Sequence, residues 1–255
     1  MPFGPLLAWK RGDILGVAQR LMAAFGVGLI AIAVAFAIAG KETVLAPFGI
    51  GLAFYVITGA ITDLAERTGL FRMPLATVRA RAAGLPRATR GTAIAHSGMA
   101  VTLLGVVCQT WADERIVALK PSQTVTLAGY ELSFDGLVQR GGPNFRELIA
   151  NFTVRSGGVA IGTMEPSKRS FVSRGSTTTE AALMTRGVSQ LYLSLGDTND
   201  DGSVAVRLYH KPLVLLIWLG AVVMMLGGAL SLSDRRLRVG APKPAAAKSS
   251  LQPAE

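Results

Sequence analysis

Four stretches of this chain are apolar and almost free of charge: Leu21 to Ala39, Val44 to Thr62, about Gly91 to Trp111, and Leu213 to Ser233. A bilayer core of about 30 Å is crossed by about 20 helical residues at a rise of about 1.5 Å each, and all four meet that length. In lipid a spanning segment must satisfy its own backbone polar groups, so continuous apolar runs of this kind read as helices. The first two, separated by a short turn with Gly40, Lys41 and Glu42, read as a helical hairpin. The first is too long and starts too far after its charges to read as a cleaved signal peptide. Composition agrees with a membrane protein, since half of the residues are hydrophobic and only 16% are charged.

The formal net charge of +10 raises the question of nucleic acid. A nucleic-acid binder would carry its basic residues as a stripe on a soluble domain. Here they flank the apolar runs: Lys10, Arg11 and Arg20 before the first, Arg67, Arg72, Arg79, Arg81, Arg87 and Arg90 between the second and third, and Arg235, Arg236, Arg238, Lys243 and Lys248 after the fourth. All three blocks fall on one side of a four-span protein, which by the positive-inside rule places both termini in the cytoplasm and excludes a nucleic-acid partner. The inner loop mixes its arginines with Leu70, Phe71, Leu75 and Val78; it reads either as an orientation-setting loop or as a helix lying against anionic headgroups of membrane lipid.

Residues 112–211 must then lie outside, in the periplasm of a Gram-negative-type cell. This segment has 11 basic and 10 acidic residues and alternates apolar with polar positions around turn signals. A hairpin is expected about Ser156, Gly157 and Gly158 and another about the Asp/Asn/Gly turn in "QLYLSLGDTNDDGSVAVRLYH". About six short strands would form a small antiparallel sandwich or barrel. The predicted fold class is therefore membrane α-helical, with four transmembrane helices and a small periplasmic antiparallel β domain inserted between the third and fourth. Its parts are residues 1–90 (cytoplasmic N-terminus, two helices and basic loop), 91–111 (third helix), 112–211 (β domain), 212–233 (fourth helix) and 234–255 (disordered basic cytoplasmic tail).

Chemistry-bearing motifs are few. "DTNDDG", Asp197 to Gly202, resembles the opening of a calcium loop, but the position that should hold a bidentate glutamate is Leu208. It reads as a hairpin turn. Cys108 is the only cysteine, so an intramolecular disulfide is excluded and thiolate-held zinc or iron–sulfur sites lack enough ligands. No Gly-rich phosphate loop or G-x-S-x-G elbow is present, and no catalytic residue is assigned. Trp9, Trp111 and Trp218 fit interface anchoring.

His96 stands apart, because a strongly polar side chain inside a span is costly without a partner and is a functional-site candidate by default. Thr92, Ala93, Ala100 and Leu103 share its face at helical spacing. Two readings are open: a ligand to a metal centre, for which imidazole without thiolate points to haem, copper or iron, or a hydrogen bond to a neighbouring helix. His210, at the outer start of the fourth span, reads as a surface imidazole. Most of the bilayer separates the two histidines, so they cannot ligate one iron within this chain.

Three blocks in order, "PFGPLLAWKRGD" (2–13), "AHSGMAVTLLGVVCQTWADERIVALKPSQTVTLAGYELSFDGL" (95–137) and "AVRLYHKPLVLLIWLGAVVMMLGGALSLSDRRLR" (205–238), resemble the C-terminal part of the cytochrome c maturation protein family CcmF. The resemblance implies a bacterial inner-membrane component of the haem lyase. Its partners would be the haem chaperone CcmE, CcmH and the apocytochrome c, and it would assist transfer of haem from CcmE to the apocytochrome. It also implies a haem b held in the membrane by two histidines, of which His96, by its "AHSG" context, is the axial ligand contributed here. The family's "WWD" segment, its flanking outer histidines and its second transmembrane histidine have no counterpart in this sequence. The resemblance thus implies a separately encoded half or a truncated fragment, whose site is closed by another polypeptide, the N-terminal half of CcmF, and whose lyase activity belongs only to the complex. A non-catalytic scaffold docking CcmH or the chaperone, and a haem transporter subunit, are the alternatives.

Overall fold

The computed structural model describes residues 14–39 and 44–234. The basic N-terminal block with Trp9, the turn with Lys41 and the expected disordered tail after Asp234 lie outside the described residues.

The helices are α1 (Ile14–Arg20), α2 (Met22–Ala39), α3 (Leu45–Thr68), α4 (Leu75–Gly84), α5 (Arg87–Val107), which tightens into a 3-10 turn (Cys108–Trp111), and α6 (Leu215–Leu232). Among the described residues three helices are long and apolar enough to cross a membrane: α3, α5 with its 3-10 turn, and α6. The apolar part of α2, Met22–Ile38, is shorter than these, so the expected four spans are matched by three helices of full length and one shorter apolar helix.

α3 continues past Thr62 to Thr68 because its stop signal lies further on. Gly69, with φ 74°, closes it in a left-handed cap, and the N–H of Leu70 reaches the carbonyl of Ala65 at 2.9 Å. α5 begins at Arg87, directly after Pro86. A proline before the first turn loses no helical hydrogen bond, so the helix starts there and not at Gly91. The inner loop does form a helix, α4, with Val78 buried and Phe71 and Leu75 exposed.

α5 packs between α3 and α6. Toward α6 it presents Gly91, Gly98 and Gly105, at seven-residue spacing, against Gly220 and Gly227 at the same spacing. A methyl added at Gly98 would sit 2.6 Å from the backbone nitrogen of Met224 and 2.7 Å from the carbonyl oxygen of Gly220; one at Gly227 would sit 2.7 Å from the carbonyl oxygen of Gly91. Backbone meets backbone there, which is how apolar helices gain packing where lipid offers no hydrophobic drive. Toward α3 it presents Ala93 and Ala100, and Ala100 packs with Ala53 and Val56.

Between α5 and α6 the chain forms ten strands: β1 (Asp113–Leu119), β2 (Thr124–Leu127), β3 (Tyr130–Gly141), β4 (Arg146–Ser156), β5 (Val159–Met164), β6 (Ser167–Phe171), β7 (Ser176–Glu180), β8 (Ala182–Arg186), β9 (Ser189–Thr198) and β10 (Val204–Lys211). They build an antiparallel sheet of order β1-β10-β9-β8 and a second of order β2-β3-β4-β6-β7, with β5 also on β4. The expected six strands become ten because several are short, and β7 is exposed throughout and lacks the apolar alternation a sequence reading relies on. Both expected hairpins form: Gly157 and Gly158, at φ 57° and 79°, join β4 to β5, and the Asp/Asn/Gly turn joins β9 to β10. The core is continuous across both sheets, with Phe134 and Phe152 cross-strand partners stacked at 5.0 Å and Leu193, Val206 and Leu208 opposite.

The first and last strands lie side by side, Asp113 beside His210, so the β domain returns the chain to where it left. This ladder, together with Gln109 Nε2 donating to the carbonyl of Pro212 at 2.9 Å, ties the exit of α5 to the entry of α6.

Candidate functional site

His96 lies midway along α5, at the side of the contact with α3. Its side chain is partly exposed, and it makes no hydrogen bond with any described residue. Neighbouring hydroxyls are already engaged as donors within the helix: Thr92 donates to the carbonyl of Ala88 and Ser97 to that of Ala93, both at 2.9 Å. The interhelical hydrogen bond that would make His96 merely structural is not among the bonds the described residues form. Met99, one turn on from His96, is an exposed apolar side chain of the same helix.

On its other side His96 lines a narrow crevice with Thr92 and Ala93 of α5 and Val56, Gly59, Ala60 and Asp63 of α3. The free space is about 10 Å3, room for about one water and not for a macrocycle. The helices run antiparallel here: Gly49 of α3 faces Val107 at one end, and Asp63 lines the crevice with Thr92, Ala93 and His96 at the other. Asp63 is only 7% exposed, and its Oδ1 accepts from Arg67 Nε at 2.8 Å, one helical turn away. The span read from the sequence ends at Thr62, one residue short of Asp63, so the acid is not among the expected site residues. The signal was present in the acid-to-arginine spacing of four, which is a helical pair.

Two other regions of the molecule lie apart from this crevice. An apolar groove of about 580 Å3 runs between α2 and α3, lined by Phe25, Leu29, Phe48 and Leu52, with Tyr55 as its polar side chain; it shares no residue with the crevice. In the β domain Glu147 is buried between Arg140 and Arg169, its partners in the neighbouring strands, with Nε to carboxylate distances of 2.5 and 2.9 Å. The Arg169 guanidinium, aided by Arg140, holds the Glu147 carboxyl below the usual carboxylate range. Arg169 also lies over the Phe145 ring at 4.9 Å. This is a cross-strand lock.

His210 sits on β10, mostly buried, with Nδ1 3.7 Å from Asp113 and its ring 6.0 Å from that of Tyr130. The turn acids are likewise engaged: Asp197 with Lys168 and Asp201 with Lys120 and Ser203. The structure brings neither near His96.

Residues 110–212, almost the whole segment between α5 and α6, match the family model described as the CcmF C-terminal beta-sandwich. Over its full length the chain is 61% identical to the cytochrome c-type biogenesis protein CycK of Bradyrhizobium diazoefficiens, and over 94% of it 34% identical to CcmF of Pseudomonas fluorescens. The chain belongs to the CcmF family. It spans about two fifths of those relatives' length, 39% and 36%, and corresponds to the C-terminal part of CcmF. A solved structure of a cytochrome c haem lyase CcmF superposes with a TM-score of 0.68 over 91% of this chain and 37% of that one; at 19% identity it shows a shared fold. Family membership and the three long apolar helices make this a multi-pass bacterial membrane protein with an inserted β-sandwich.

Proposed function

We propose that this chain is a haem-handling part of the CcmF lyase, in which His96 provides one axial ligand to a haem b within the membrane and the N-terminal part of CcmF provides the second. The observation that carries the reading is the imidazole itself: a polar ring inside an apolar helix, partly exposed and unbonded to any described residue, where a costly group is kept only for a use. The donor set fits haem, since an imidazole with no thiolate nearby suits haem iron. The crevice behind His96 is too small for a macrocycle, so haem would have to lie on the outer side of α5, beside Met99. Bound haem supplies one-electron chemistry. What the chain itself contributes is a rigid support for the ligand, with α5 held against α6 by backbone contact and against α3 by alanine.

In this reading both termini are cytoplasmic, which the arginines of residues 67–90 support: no acidic residue occurs between Arg67 and Ala112. The β-sandwich is then periplasmic, poised for CcmE, CcmH and the apocytochrome c as haem passes from the chaperone. His96→Ala, made in this chain together with the N-terminal half of CcmF, is expected to abolish membrane haem in a pyridine haemochrome assay. Haem content equal to that of the parent protein overturns the proposal.

A further inference from the structure

The geometry points to Asp63 as the positioning residue for His96, a carboxylate that orients the imidazole and sets the charge beside it. The inference rests on the haem-ligand reading of His96 and deepens it.

Asp63 occupies a face of α3 otherwise made of small and apolar residues. Ala53, Val56, Ala60 and Asp63 recur at helical spacing along the contact with α5. A carboxylate at 7% exposure in such a face is costly, and a single arginine one turn away meets only part of that cost. A surface pair for orientation would have been served equally well by an acid on the exposed side of the helix. The buried side is the one that lines the crevice with His96.

A ligating imidazole uses one nitrogen for the metal, and its other N–H requires an acceptor that fixes tautomer and ring orientation. Two side chains lining the crevice can accept: Asp63, and Thr92, whose hydroxyl hydrogen is already spent on the carbonyl of Ala88. Both side chains line this crevice, whose free space is about that of one water. Asp63 is the carboxylate of this crevice, and a negative charge behind the ligand makes the imidazole a stronger donor and favours the more positive, oxidised iron. Arg67, bound to that carboxylate, acts with the opposite sign.

The test is a redox titration of haem in the complex with the N-terminal half of CcmF, comparing Asp63→Asn, Asp63→Glu and Arg67→Gln with the parent. Asp63→Asn is expected to retain haem and to favour Fe(II) at least tenfold, an upward shift of about 59 mV for one electron. Arg67→Gln is expected to move the potential downward, and Asp63→Glu to stay within threefold of the parent. A purely structural Asp63 would give no such opposed signs. Where Asp63→Asn does not load haem, 15N spectra of the haem-free complex, labelled only on the histidines of this chain, decide. Only His96 and His210 then report; a changed tautomer balance at His96 supports the inference, and unchanged imidazole shifts overturn it. An Asp63→Asn potential within twofold of the parent also overturns it, even where His96→Ala loses haem. Haem retained in His96→Ala instead overturns the ligand reading beneath it.

Discussion

The buried carboxylate of Asp234 accepts a hydrogen bond of 3.0 Å from the backbone N–H of Ala88, so a residue two positions past the end of α6 caps the start of α5. Pro86, the local N-cap position, offers no side-chain acceptor. A helix N-terminus leaves its first N–H groups without internal partners, and here the missing cap comes from far along the chain. With the β1–β10 ladder at the other end, α5 and α6 are fastened at both ends and pressed together by glycine between.

Asp234→Ala is therefore expected to cost about 1 kcal/mol, typical of a lost N-cap. A lowered Tm in detergent, with Asp234→Asn retaining most of the stability, is the measurement. An unchanged Tm for Asp234→Ala contradicts the capping role.

Gly98→Leu places a side chain where the added Cβ alone would meet Met224 and Gly220 backbone atoms at 2.6 and 2.7 Å. Neither backbone can yield without moving a helix, so the loss is expected to be about 1–3 kcal/mol or more. Gly228→Leu, at a position with open space around it, serves as the control. The readout is the monodisperse fraction in size-exclusion chromatography, which should fall for the first and stay near the parent value for the second.

Acid should weaken the β-sandwich through two carboxylates. Ser203, through its hydroxyl and its backbone N–H, and Lys120 lower the Asp201 carboxyl from 3.8 to about 2. Arg169 and Arg140 lower Glu147. Since both folded-state values lie below the unfolded ones, their stabilisation is full above the ordinary carboxylate pKa and is lost as pH falls through the folded values. Denaturant midpoints should thus fall as pH drops from about 4 toward about 2. Asp201→Asn should flatten that limb while lowering stability at neutral pH; an equally steep acid limb in the variant refutes the assignment.

Much of the fold is legible in the amino-acid sequence by itself. Runs of apolar residues specify spanning helices because lipid leaves the backbone no other partners. The hairpins at Gly157-Gly158 and at Asp201-Gly202 are legible because positive φ and Asx geometry are local demands met by those residue types. His96 declares itself by its cost inside a span.

Tertiary structure decided what pairs with what. That Glu147 lies between Arg140 and Arg169 depends on strand registers joining residues far apart in sequence. That Asp234 caps α5, and that Asp63 and His96 line one crevice, depends on how three helices cross. Chemistry at each position is written in the residue and its near neighbours, whereas the partner across a helix contact is set by which small residues let two backbones approach, a property of both surfaces together and of neither segment alone.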